Sequence, residues 1–538
     1  MSQKASKKAN KNRNAAEKRS VVHAPVFRYH GPRLRGIDFH PGSTSFEGRF
    51  GRMFRTLPPA EFDVDDLKKL ARAMVAERER EPTPETKVDD EENQGISAGY
   101  TYLGQFIDHD LTFDPASSLQ KENDPDALVD FRTPRFDLDC IYGRGPDDQP
   151  YLYQDDGVHL LLGRRLTGNP HDSRTRDLPR NTPRRGGRAR ALIGDPRNDE
   201  NVIVSQLQST MLRFHNRVVD FLPTQRGSRH LLRDPGKLFA EAQRQARWHY
   251  QWIVLNDFLP TIAGQEIVNR LLPHLERGTN IFEDEPQLKF FRWKVEPFMP
   301  IEFSAAAYRF GHSMVRPIYR VNTTRRDRIE IFSTNENNSL TGFRALPDNL
   351  AVDWSLFFDL RADAPPSGPE RVQKSYKIDT SLVSPLGRLP KVIGHDVPSL
   401  AERNLIRGLR MGLPSGQSVA RYMHIPVIPD EKLQVGKATE DDNADNPRLT
   451  SISPRFKDNA PLWYYILAEA QQAFDGNNET TIRLGPVGGR IVAEVFVGLL
   501  VGDHHSFLHQ PSWQPIEDFM SGGKFAIEDL IKKTMKAR

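Results

Sequence analysis

Forty prolines punctuate the 538 residues, and no other feature restricts the fold as much. A proline inside a helix removes a backbone donor and collides with the turn before it, so helices must fit between prolines. Within those limits, apolar spacing predicts helices over 65–79, 202–222, 237–258 (stopping near Pro260), 302–316, 397–411, 461–474 and 488–502. In VIVSQLQSTMLRFHNRVVDFL, for example, Ile203, Leu207, Met211, Leu212 and Val218 recur near the 3.6-residue period. Strand-like runs are few and short, RIEIFS at 328–333 being the clearest, and no internal repeat is visible. The expected fold is mostly α, one large domain with long loops and very few short strands.

Composition narrows the class. Cys140 is the only cysteine, so disulfide-stapled and Cys-ligated metal folds are excluded. Lys and Arg number 75 against 71 Asp and Glu, a balance that argues against a nucleic-acid binder. The longest apolar run, IVAEVFVGLLVG at 491–502, is too short to span a bilayer and contains Glu494. Residues 1–24 read as a disordered basic tail without the apolar core of a secretory signal. A cytoplasmic location is therefore expected, with a non-standard export route left open. Residues 25–89 read as an extended wrapping segment and charged linker, 90–515 as the main domain and 516–538 as a C-terminal extension.

Several short stretches concentrate chemistry. GQFIDHDLTFD (104–114) puts Gln105 and His109 four apart on one helical face, while Asp110 points roughly 100° away. GDPRNDEN (194–201) carries Arg197 and Glu200 at an expected helix start, with Asp195 or Asn198 as cap. AYRFGHSMVRP (307–317) sets His312 on an apolar helix, where alone it reads as a core histidine. ERNLIRGLRMGLP (402–414) brings Asn404 and Arg407 onto one face. TPRFDLDCIYG (133–143) spaces Thr133, Asp137 and Asp139 as oxygen ligands of a hard cation are spaced, or as a solvated acidic turn. Three other stretches read as bland: His504, His505 and His509 as surface histidines, LGPVGGR (484–490) as a helix start, and the Arg-rich 174–197 as a solvated loop.

Together and in this order, these stretches resemble the animal haem peroxidase family, the myeloperoxidase–cyclooxygenase superfamily, over roughly residues 90 to 515. The resemblance implies a large single-domain haem peroxidase fold binding haem b and calcium. His109 would be the distal histidine, Gln105 would hold water or peroxide beside it, and Arg197 would be the distal arginine. His312 would ligate the haem iron. Asn404 would accept a hydrogen bond from its ring N–H, and Arg407 would pair with a propionate. Arg309, three residues before His312, matches the peroxidase branch and its propionate network. Asp108 and Glu200 match carboxylates that are esterified to haem in many members. Asp110, Thr133, Asp137 and Asp139, with the Arg135 carbonyl, would hold calcium.

The function so implied is reduction of hydrogen peroxide through a high-valent iron-oxo intermediate, oxidising bromide, iodide, thiocyanate or phenols. Position 201 is Asn rather than Met, which rules out a sulfonium link to haem and points away from chloride. The missing disulfides point to the bacterial branch. Tyr308, four residues before His312, keeps open a fatty-acid dioxygenase reading. A non-catalytic haem- or calcium-binding module is the third alternative. No protein partner is indicated.

Overall fold

Eight helices of nine residues or more carry the described residues: α1 Val64–Ala73, α2 Ala98–Leu111, α3 Val202–Phe221, α4 Pro235–Ile253, α5 Leu400–Arg410, α6 Leu462–Gln471, α7 Pro486–Gly502 and α8 Ile527–Met535. The computed structural model describes residues 48–78, 83–112, 129–130, 132–184, 187–325, 327–391 and 397–535, so the expected tail at 1–24 lies outside them. Helices α2, α3, α6 and α7 are buried over most of their surface, which makes them the central helices of the core. Among these residues no helix is long and apolar enough to cross a membrane.

Strands are minor. β1 (Gly48–Gly51) lies between β3 (Val129–Asp130) and β4 (Met299–Pro300). β2 (Glu92–Ser97) pairs with β7 (Lys374–Tyr376), and β5 (Ile318–Tyr319) pairs with β6 (Ile329–Glu330). Only Ile329 and Glu330 of the RIEIFS run are in a strand. Described residues near each terminus join the core. Met53 and Phe54 donate backbone N–H groups to the buried Glu302 carboxylate at 2.9 and 3.1 Å. At the other end, Arg213 of α3 donates to the Thr534 carbonyl of α8 at 2.7 Å.

Three helix expectations need correction. The stretch expected to be helical over 65–79 is helical only over Val64–Ala73, with Met74 as its C-cap. The chain does not stop at Pro260: a π-helical turn over Val254–Phe258 passes into Leu259–Ala263, and the run ends at Gly264 (φ 89°). Pro260 falls in the first turn of that last piece, where its missing donor costs little. The stretch 302–316 is no continuous helix. A short turn, Ile301–Ser304, breaks at Ala306 (φ −135°) and resumes as a 3-10 turn, Ala307–His312.

The elements that position the site start by defined means. At the start of α2, the N–H groups of Ala98 and Gly99 donate to the carbonyls of Gln373 and Phe357, both at 2.9 Å. α3 is capped by the Asn201 side chain, and α5 by Ser399, whose Oγ accepts from Glu402 N. At α7 the buried Glu469 carboxylate accepts from Val487 and Gly488 N–H, filling the anion position of LGPVGGR. That stretch is a helix start, as expected.

Candidate active site

His109 sits in the last turn of α2, 5% exposed. Its Nδ1 lies 2.7 Å from Asn198 Oδ1, and Asn198 Nδ2 donates to Gln208 Oε1 at 2.8 Å. Gln208 Nε2 is committed in turn to the Cys140 carbonyl at 3.0 Å. This chain of amides sets the Asn198 oxygen toward the ring, so Nδ1 donates to it and Nε2 is the nitrogen that faces Gln105 and Glu200. Nε2 is 3.7 Å from Glu200 Oε1, which accepts from Gln105 Nε2 at 2.5 Å. Gln105, His109 and Glu200 therefore converge, as their sequence placement anticipates. Asp108 is half-buried one residue earlier, accepting from Thr112 Oγ1 at 3.2 Å.

Arg197 lies in a separate 3-10 turn before α3, Pro196–Asp199, and Glu200 is that turn's C-cap, so neither opens the helix. Asp195 caps that turn through Arg197 N at 2.8 Å. Its carboxylate also accepts from the Arg197 guanidinium at 2.7 Å, and Arg197 Nη2 reaches the His109 carbonyl at 3.0 Å. Burial alone would raise the Asp195 carboxyl, but the charges of Arg197 and Arg132 outweigh it and hold it below the usual carboxylate range. Arg197 is thus clamped to the backbone of His109.

His312 ends the 307–312 turn, which is tied to α2 by the Tyr308 hydroxyl donating to the Gly104 carbonyl at 3.2 Å. Burial, then the Arg309 charge, lowers the His312 ring to about 3, so it is neutral. Its Nδ1 is 2.8 Å from Asn404 of α5, and its Nε2 makes no hydrogen bond among the described residues. The Asn404 amide presents Nδ2 to the ring and Oδ1 to Arg309 Nη1 at 3.4 Å, opposite to the expected orientation. Arg309 is the reason: a guanidinium only donates, so it draws the carboxamide oxygen. Turning the amide over sets Oδ1 against Nδ1–H, the tautomer that opens Nε2 to a metal.

Arg309 also donates to the Ser304 carbonyl at 2.9 Å. Burial, then the nearby Arg407, pulls its guanidinium down to about 10, with Arg403 and Arg197 adding to the effect. Converging cations of this kind suit anionic groups such as haem propionates. Space exists beside His312, since a Cβ built on Gly311 would meet nothing within 4 Å. An open space, a neutral imidazole with an uncommitted nitrogen and a cationic wall fit a haem.

Asp110, Asp137 and Asp139 are all buried, with ligand oxygens within 4.8 Å of one another. Leu138 between the last two adopts φ 57°, a left-handed conformation uncommon for a branched residue and costly enough to need local support. Thr133 Oγ1 donates to Asp137 Oδ2 at 2.6 Å, and Arg135 N to the Thr133 carbonyl at 2.7 Å. Asp110 Oδ1 is buried with no hydrogen-bond partner. Three clustered carboxylates repel one another unless a cation joins them, so this donor set fits calcium. The solvated acidic turn is excluded by burial.

Asp195, Asn198, Gln208 and Arg132 complete the site. The sequence suggests the first two only as caps and is silent on the others, because their partners lie far away in the chain. The Arg-rich stretch is not simply solvated: Arg180, its side chain 7% exposed, pairs with Asp177 and Asp199. Of the three histidines expected at the surface only His504 is exposed; His505 is half-buried, and His509, also half-buried, has Nε2 2.9 Å from the Val501 carbonyl.

Residues 119–352, which include Thr133–Asp139, Arg197, Glu200 and His312, match the family model for animal haem peroxidase. A peroxidase-like protein of Margaritifera margaritifera is 34% identical over 128 residues, covering 23% of this chain and 14% of that protein. The chain spans between 14% and 30% of the length of the curated relatives it matches. Peroxidase A of Dictyostelium discoideum shares the fold at TM-score 0.60 and 16% identity, covering 94% of this chain and 98% of that one. A fatty acid alpha-dioxygenase of Arabidopsis thaliana does so at TM-score 0.53 and 12% identity, covering 89% and 76%. The matched segment and the mostly α fold agree in their likeness to the animal haem peroxidase family.

Proposed function

We propose that the protein is a haem peroxidase that reduces hydrogen peroxide and oxidises small donors, with bromide, iodide, thiocyanate and phenols as the candidates. The observation that carries this reading is the placement of His109, bonded through Nδ1 to Asn198, with its Nε2 turned toward Glu200 and Gln105 and Arg197 clamped alongside. Bound haem supplies the iron at which peroxide accepts two electrons. His312 would ligate that iron, Arg309 and Arg407 would meet the propionates, and Asp108 and Glu200 are the carboxylates available for ester links.

The chain's own part is proton handling and charge. His109 Nε2 takes the proton of the attacking peroxide oxygen and returns it to the departing one, which leaves as water. Arg197, held rigid by Asp195, stabilises the charge that develops as the O–O bond lengthens. Gln105 positions the peroxide through its amide. Calcium bound by Asp110, Thr133, the Arg135 carbonyl, Asp137 and Asp139 would tie that loop to α2, one residue from His109.

The Tyr308 hydroxyl is engaged by the Gly104 carbonyl, and its ring stacks on Phe303 at 4.7 Å. That supports a packing role over a radical-forming one. Asn201 is occupied as the cap of α3 through Ile203 N at 2.8 Å. Haem-loaded protein is assayed for peroxide consumption with bromide or a phenol, and for oxygen uptake with a free fatty acid. Donor-dependent peroxide turnover is expected. Oxygen uptake alone would make it a dioxygenase, and inertness to both a binding module.

A further inference from the structure

One guanidinium joins the acidic cluster to the distal arginine. Arg132 Nη1 lies 3.4 Å from Asp139 Oδ2, while its Nε and Nη2 lie 3.1 and 2.6 Å from Asp195 Oδ2. The same carboxylate oxygen receives Arg197 Nη2 at 2.7 Å. Side-chain exposure along this row is 7% for Arg132, 2% for Asp139 and none for Asp195, so water screens little of it. The two loops abut directly: a Cβ on Gly194 would fall 2.3 Å from the Asp139 carbonyl oxygen, a contact only glycine permits. Arg132 Nη2 also donates to the Gly194 carbonyl at 3.2 Å.

We infer that Arg132 is a positioning residue, coupling cation occupancy of the Asp110–Asp137–Asp139 cluster to the placement of Arg197 through Asp195. The inference rests on the metal site proposed above and extends it. A cation on Asp139 takes over the attraction that this carboxylate exerts on Arg132. The guanidinium then pairs more fully with Asp195, and the 194–197 loop tightens around Arg197. Without a cation, Arg132 is shared between two carboxylates and the loop is held less firmly.

Hydrogen exchange of the full chain, with calcium and after chelation, reads this without turnover. The backbone N–H of Arg197 reports directly, because it donates to Asp195 Oδ1 at 2.8 Å. Calcium is expected to slow exchange over 194–200 about fivefold or more in the wild type. Arg132→Met should abolish that response while still binding calcium by calorimetry, and Arg132→Lys should restore it only in part. A merely structural role would raise exchange equally with and without calcium. Equal calcium responses in wild type and Arg132→Met overturn the coupling but leave the metal site standing. Failure of the wild type to bind calcium overturns both. Should Arg132→Met not fold, Asp195→Asn tests the same step, and an undiminished calcium response there also overturns the coupling.

Discussion

Nδ1 of His109 lies 2.7 Å from Oδ1 of Asn198, and this contact decides which ring nitrogen faces the proposed peroxide site. Asn198→Ala should lower kcat/KM for peroxide about 100-fold, within the range lost when a general base is misplaced. Asn198→Asp sets an anion against the ring and stabilises the imidazolium, so the acid limb of the pH profile should move to higher pH. An unchanged profile in both variants would separate Asn198 from the tautomer.

Arg197 is the fixed positive charge beside His109, bonded to the His109 carbonyl at 3.0 Å. Arg197→Gln should reduce the rate of peroxide reduction by about 10² to 10³, as loss of one donor to a developing oxyanion does elsewhere. Single-turnover kinetics at low peroxide measure this. A loss under threefold would remove Arg197 from the chemistry.

The acidic cluster gives a metal-dependent prediction. Asp137→Ala removes one of three mutually buried carboxylates and the acceptor of Thr133 Oγ1. Calcium should be lost, and the distal side disordered with it. Metal analysis, the haem absorption spectrum and peroxide rates check the outcome together. Normal spectra and rates in metal-depleted protein would contradict it.

Acid should destabilise the protein through two buried histidines that take no part in the proposed chemistry. Burial lowers both His215 and His249 to about 4. The His249 ring must be neutral to accept from Ile516 N at 3.0 Å, while His215, between the Val158 carbonyl at 2.9 Å and the Tyr142 hydroxyl, is held neutral by burial. Both values are depressed, so the unfolded chain binds the extra protons. Stability is then complete above about 6.5 and lost as pH falls toward 4, on the order of 3 kcal/mol for each ring. Denaturant midpoints across that range, for wild type and His249→Phe, measure the slope. The variant should show a shallower one.

Much of the site was legible because it is local. Gln105 with His109, Asn404 with Arg407, and the Asp137–Asp139 spacing each lie within one or two turns of chain, where periodicity speaks directly. Helix interiors were legible for the same reason, α3 and α7 falling within two residues of expectation. Arg132, Asp195 and Gln208 act across distances that no local pattern encodes, 63 residues separating Arg132 from Asp195. The break before His312 arises from the backbone at Ala306, and the passage through Pro260 from a π-helical turn; apolar spacing distinguishes neither from a plain helix. The orientation of Asn404 depends on Arg309, which competes for its amide oxygen.

The most direct test is stopped-flow absorption of purified, haem-loaded protein mixed with a small excess of hydrogen peroxide. A rapid change in the Soret band, reversed by bromide or a phenol and slowed at least 100-fold in His109→Leu, is expected for the proposed roles of His109 and His312. A Soret band that does not respond to peroxide, or responds equally in His109→Leu, would contradict them.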